Sequence, residues 1–132
     1  MGKKKENYLT RAEEEIMQIL WEIERGVVHD IIERFPDPKP AYNTVSTIIR
    51  ILETKGFADH KAYGKTHEYY PLVSKDDYSK KFIKSFVKGY FNNSFHKMVS
   101  FFSESEDFDI KELEQTLNLM KQQIENRKKS KP

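Results

Sequence analysis

The side chains that carry chemistry in this sequence fall into two sets. The first is titratable: His29, His60, His67 and His96, the triplet Glu13, Glu14 and Glu15, and the pair Asp76 and Asp77. Imidazoles and carboxylates build metal sites and acid–base pairs only when a second group stands at a fixed interval. His60 and His67 can face each other across a hairpin, but no carboxylate or cysteine completes a recognisable ligand spacing. No metal is expected, and a phosphate or solvent contact is the better use of these rings. The glutamate triplet fits the start of a helix, where it offsets the dipole, and Asp76–Asp77 fits a helix cap. There is no glycine-rich phosphate loop, nucleophile elbow or zinc-protease helix motif. Neither an enzyme nor a bound cofactor is expected.

The second set consists of short hydrogen-bonding side chains, Asn43, Thr44, Ser46 and Thr47, with Arg50 one turn on. Such side chains let a helix backbone approach base edges and phosphates closely, and one arginine adds a phosphate or guanine contact. Charge is divided in the same sense. Residues 7 to 38 hold three basic and eight acidic side chains, whereas residues 39 to 67 hold five basic and two acidic. A polyanion is steered to the second stretch, which includes Lys61 and Lys65. An ordinary solvated surface gives the same counts, so the charge pattern alone does not separate the two.

The elements that must position these residues can be read from periodicity. Thr10-Arg11-Ala12-Glu13 is a capping box with Leu9 before it. Ala12, Ile16, Leu20 and Ile23 follow at helical spacing, and Gly26 is the expected stop. Trp21 is expected to pack along this helix. Val28, Ile31, Ile32 and Phe35 predict a short second helix that Pro36 closes, and the stretch from Pro36 to Pro40 is a stiff turn. A third helix from about Ala41 to Lys55 buries Ala41, Val45, Ile48, Ile49 and Leu52, with Gly56 as its stop. Extended runs Phe57 to Ala62 and Thr66 to Tyr70, joined at Tyr63-Gly64-Lys65, read as a hairpin. This order is that of a winged helix-turn-helix.

From Ser74 the composition shifts. Nine of the seventeen aromatic residues lie between Tyr78 and Phe108. Tyr78, Phe82, Phe86 and Tyr90 repeat every four residues on one helix. Asn92-Asn93-Ser94 breaks it and can cap the next, where Phe95, Met98, Val99 and Phe102 mark one face. Asp109 caps a last helix with a short heptad seam of Ile110, Leu113, Leu117, Met120 and Ile124. Helices this short cannot hide so many rings internally. A homodimer is therefore expected, through Phe82, Phe86, Tyr90, Phe95, Met98, Phe102, Leu113, Leu117, Met120 and Ile124. Packing against the N-terminal module of the same chain is the alternative.

The fold class is thus mainly α with a small β-hairpin wing. A DNA-binding winged helix-turn-helix occupies residues 7–73 and a helical dimerisation domain residues 74–126. Residues 1–6 and 127–132 form basic tails that are expected to be disordered. No apolar run can span a bilayer, MGKKKENY lacks a signal core, and there are no cysteines. A cytoplasmic protein without membrane insertion is expected.

With these elements placed, the chain resembles the penicillinase-repressor family (BlaI/MecI/CopY-like transcriptional repressors). The carriers are LTRAEEEIMQILWE in the first helix, AYNTVSTIIRILETKGF through the third, and YYPLVSKDDY at the junction. The resemblance implies a dimer that blocks transcription on double-stranded operator DNA of dyad symmetry. It places Asn43, Thr44, Ser46 and Thr47 at the major groove, and Lys61 and Lys65 near phosphates. Many relatives carry arginine where this chain has Ile51, for which the neighbouring Arg50 is a substitute, and a tryptophan where it has Pro40. Lack of cysteine excludes the metal sensing of the copper-responsive branch and points to the antibiotic-responsive one. In that branch a membrane-linked sensor protease pathway relieves repression by cleavage, and the matching segment is Ser100-Phe101-Phe102-Ser103. Two other classes stay open: a winged-helix module that binds a protein, and a small-molecule-responsive regulator of another winged-helix family.

Overall fold

Thr10 begins the first element by closing both halves of a capping box. Its hydroxyl accepts from the Glu13 N–H at 3.2 Å, and the Glu13 carboxylate accepts from the Thr10 N–H at 2.9 Å. The helix so started, α1 (Arg11–Ile23), is the first of six in the computed structural model, which describes residues 8–130. Its buried stripe is Ile16, Met17 and Leu20, while Ala12 lies exposed. Ile16 and Leu20 are as expected, but the stripe is turned from Ala12 toward unbranched Met17, which completes it. α1 ends at Glu24, in a positive-φ conformation (72°), two residues before the expected stop.

Gly26 does something else. Its N–H donates to the Tyr69 carbonyl at 3.0 Å and its carbonyl accepts from the Tyr69 N–H at 2.8 Å. A Cβ there would stand 2.8 Å from Ile23 Cδ1 and 3.1 Å from Asp30 Cβ. Short α2 (Val28–Glu33) follows, with Val28 and Ile31 inward. At the end of α2 the Arg34 and Phe35 N–H groups donate to the Ile31 and Ile32 carbonyls, and the Lys39 ammonium donates to Glu33 O at 3.2 Å and, beyond the helix, to Phe35 O at 2.7 Å.

α3 (Tyr42–Lys55) buries Val45, Ile49 and Leu52, spaced by four and three. Ala41 is exposed and lies outside it, as its N-cap. Gly56, at φ 89°, adopts the left-handed conformation that ends the helix. β1 (Ala58–Tyr63) and β2 (Thr66–Pro71) then pair antiparallel. Tyr63 faces Thr66, so the turn is the two residues Gly64-Lys65, with Gly64 at φ 65°. Pro71 pairs with Ala58 at the hairpin base instead of ending the strand before it. Phe57, Ala58 and Tyr69 close the core over the three helices. Each fully buried aliphatic there contributes about 1.5–3 kcal/mol.

α4 (Lys75–Tyr90) is capped by the Ser74 hydroxyl, which accepts from the Asp77 N–H at 3.0 Å. Its start is fixed to the winged unit. The Tyr78 hydroxyl accepts from the Leu9 N–H at 2.9 Å, and its ring packs 5.6 Å from Phe57 and 6.0 Å from Trp21. The Trp21 indole N–H donates to the Val73 carbonyl at 2.8 Å. Two compact units divide within α4, between Phe82 and Ile83.

The second unit holds the rest of α4, then α5 (Phe95–Ser103) and α6 (Ile110–Ser130). Asn92 and Asn93, at φ 53° and 61°, end α4, and Ser94 caps α5 through the Lys97 N–H at 3.0 Å. Asp109 caps α6 through the Glu112 N–H at 2.7 Å. α6 runs on to Ser130, so Arg127, Lys128 and Lys129 form its last turn and not a tail. Their charges suit the negative end of the helix dipole. The expected tail at residues 1–6 lies outside the described residues, as do residues 131 and 132.

The unit's aromatic rings touch in series. Phe86 is 5.8 Å from Phe91, Phe91 5.6 Å from Phe101, Phe101 5.4 Å from Phe102, and Phe102 6.0 Å from Phe108. Even so, Val87 is the one buried hydrophobic among the unit's described residues. The architecture is the mainly helical winged helix-turn-helix with a C-terminal helical module that the sequence indicated. Among the described residues no helix is long and apolar enough to cross a membrane.

Candidate nucleic-acid interface

Burying Val45, Ile49 and Leu52 turns the opposite face of α3 outward. Asn43, Thr44, Thr47 and Arg50 are exposed there, and Ser46 is half-buried. Asn43, Thr47 and Arg50 form one row, and Thr44, Thr47 and Ile51 the next. Ile51 is exposed, which puts an apolar group on that second row. Arg50 lies a sixth to a third of a turn away, with its Nε donating to the Ser46 carbonyl at 3.3 Å. A groove of about 330 Å3 separates α3 from the wing, lined among others by Tyr42, Ser46, Arg50, Lys65, His67 and Tyr69. Arg50 and Lys65 thus approach one space from two elements.

Lys61 and Lys65 are both exposed on the wing, with the Lys61 ammonium 5.7 Å from the Tyr63 ring centre. The remaining cations of the basic stretch have internal duties. Lys39 holds the carbonyls after α2, and Lys55 Nζ lies 2.8 Å from Glu13 Oε1 and 3.4 Å from the Tyr8 carbonyl. Burial pushes the Glu13 carboxyl up, but Lys55 and the Thr10 N–H and hydroxyl outweigh it and hold the group below its ordinary value. Counting lysines along the sequence therefore overstates what a polyanion meets. Arg50, Lys61 and Lys65 are the cations of this stretch that lie on α3 and the wing with their charge outward, while exposed Lys39 is held at the turn after α2.

Sequence reasoning passed over several neighbours. Tyr42 stands four residues before Ser46 on the same side of α3, and its ring lies 5.0 Å from His29. The i to i+4 interval was a usable signal. Glu53 and Asp59 close on His60: Glu53 Oε2 lies 2.6 Å from His60 Nδ1, and Asp59 Oδ1 accepts from the His60 N–H at 2.7 Å. His60 and His67 do meet across the hairpin, stacked at 4.0 Å. Burial, then the Glu53 carboxylate, raise the nearby Tyr69 phenol, so it stays protonated.

Of the apolar residues singled out for assembly, Phe82 lies in the winged unit and is exposed. In the second unit Tyr90, Phe95, Phe102, Leu117, Met120 and Ile124 are exposed. Phe86, Met98 and Leu113 are half-buried.

The model of the penicillinase repressor family matches residues 9–122. The chain belongs to that family. It is 33% identical over 113 residues to the methicillin resistance regulatory protein MecI of Staphylococcus aureus strain N315, covering 85% of this chain and 92% of that one. The corresponding protein of Mammaliicoccus sciuri is 32% identical over the same length. The penicillinase repressor of Bacillus licheniformis is 24% identical over 127 residues, covering 96% of this chain and 98% of that one. These penicillinase repressor relatives are regulators named for antibiotic resistance, which is the branch that the absence of cysteine indicated, and they are not enzymes.

Proposed function

We propose that this penicillinase-repressor chain represses transcription as a homodimer on double-stranded operator DNA of dyad symmetry. Residues 7–73 act as the DNA-binding domain and residues 74–126 as the dimerisation domain. The observation that carries the reading is the outward face of α3, where exposed Asn43, Thr44 and Thr47 stand beside Arg50, with Ser46 at the edge of the groove toward a wing bearing Lys61 and Lys65. Helix-borne amide and hydroxyl groups discriminate bases in a major groove, and flanking cations fix register on the phosphates. Ile51 offers a methyl-rich surface where many relatives have arginine, which suits a thymine methyl and an operator of different sequence.

The exposed rings and aliphatics of α4, α5 and α6 support the dimer. Exposed apolar faces on capped helices mark contact surfaces. Relief of repression fits cleavage near Phe101-Phe102 by a sensor protease pathway. That bond lies in α5, nine residues long with none of them buried within the chain, so only the proposed dimer contact opposes its local opening to a protease. Loss of one linked half-site then removes the avidity that holds the other. An intact chain throughout induction of its target genes would overturn this part of the proposal.

The test of the main reading is a binding titration against the upstream region of the chain's own gene, with random duplex as competitor and salt varied. Saturable binding of two protomers per site that survives competitor is the expected result. Affinity falls by about 0.9 log units per phosphate contact per decade of salt. Loss of all binding to competitor at moderate salt on this region and on the target-gene operators refutes it and favours a protein partner for α3.

A further inference from the structure

The Gly56 reversal folds the end of α3 back onto the start of the wing, and three ligand-type side chains meet there. One donor atom from each of Glu53, Asp59 and His60 lies within 4.8 Å of the other two, and all three residues are half-buried. Two contacts pre-orient the set. Glu53 Oε2 stands 2.6 Å from His60 Nδ1, and the His60 N–H holds Asp59 Oδ1 at 2.7 Å. The His67 ring lies parallel to that of His60, at 4.0 Å and 12°, so it limits the rotation of the imidazole.

A zinc-class ion takes oxygen and nitrogen ligands at about 2.0–2.2 Å, which sets tetrahedral donors about 3.3–3.6 Å apart. The separations here are all within 4.8 Å, and the shortest, 2.6 Å between Glu53 and His60, is a direct hydrogen bond, so that bond opens as the three donors close on one ion. Two carboxylates beside an imidazole suit divalent transition metals. We propose that Glu53, Asp59 and His60 bind one zinc-class divalent ion, with water as the fourth ligand. The site needs no cysteine and stands independently of what α3 binds. It joins a helix to a strand, so the ion fastens the end of α3 to the base of the wing. It also cancels the charge of two carboxylates.

The test titrates the full chain with zinc chloride against a chromophoric chelator. One zinc per chain is expected. Glu53→Gln, Asp59→Asn and His60→Gln should each weaken binding at least about tenfold, while His96→Gln leaves it unchanged. No uptake by the unsubstituted chain overturns the proposal. So does uptake that the three variants retain, or that His96→Gln loses equally. Histidine ring NMR of the unsubstituted chain decides without variants. Zinc should shift His60 first, and shifts at His29 or His96 with His60 unmoved overturn the assignment.

Discussion

Glu13 offers a sharp test because one carboxylate serves two elements. It closes the capping box of α1 and accepts from Lys55 at the end of α3, across 42 residues of sequence. Its side chain is 7% exposed and that of Lys55 29%. Replacing Glu13 with alanine removes half a capping box, about 1 kcal/mol. It also removes a hydrogen bond to a charged group, about 1.5–3 kcal/mol, at the lower end because Lys55 reaches solvent. The sum is about 2–3 kcal/mol, or roughly 10–20 °C in melting temperature for a unit of this size. Glutamine keeps an acceptor for the Thr10 N–H and loses the charge, so it should cost less, about 1–2 kcal/mol.

The two variants also separate by pH. The Glu13 carboxyl is held below its ordinary value of 4.5, so its charged form stabilises the fold fully above that value. The contribution is lost as pH falls through the lower folded value. The gap between the unsubstituted chain and Glu13→Gln should be widest at neutral pH, narrow below about pH 5 and close in stronger acid. Urea unfolding followed by the fluorescence of Trp21, the single tryptophan and a residue of the winged unit, reads this directly. A gap independent of pH, or one that widens in acid, refutes the ion-pair account.

Three further outcomes are expected. Thr47→Ala should weaken operator binding by about 1 kcal/mol or more while random duplex loses little, by competitive fluorescence anisotropy; equal losses would remove the base-reading role. Phe102→Glu places a charge on the exposed rings of the second unit and should give monomers in analytical ultracentrifugation, whereas a persistent dimer moves the interface elsewhere. Gly56→Ala meets nothing within 4 Å but must hold φ 89°, so the cost is backbone strain alone, about 1 kcal/mol by thermal denaturation. An unchanged melting temperature would mean that the helix ends another way.

What the sequence made legible is local. The Thr10–Glu13 box, the Val45, Ile49 and Leu52 stripe, the Gly56 stop and the caps at Ser94 and Asp109 all act within one or two turns. Each is a short-range rule about orphan backbone groups or helical period. What stayed hidden depends on partners far along the chain. Gly26 looks like a helix stop until Tyr69, 43 residues later, pairs with its backbone. Lys55 looks like a cation for a polyanion until Glu13 is placed beside it. The Glu53, Asp59 and His60 group spans only eight positions, yet no regular period brings it together; the chain reversal at Gly56 does. On the face of α3, residue types were readable, but the groove shared with the wing was not.

The wing is pinned at one end only. Near its base, Tyr69 is buried and exchanges two hydrogen bonds with Gly26, while Tyr63, Gly64, Lys65 and Thr66 at the tip are exposed. It is a lever with its fulcrum inside the core. Substitutions along it should therefore sort by position. Those near Tyr69 register as lost stability, as does any at Gly64, whose φ of 65° the turn requires, while those at Tyr63, Lys65 and Thr66 leave the fold intact and change only what the tip reaches. Such a tip can diverge between relatives without any repacking. Recognition can be retuned there while the rest of the molecule stays as it is.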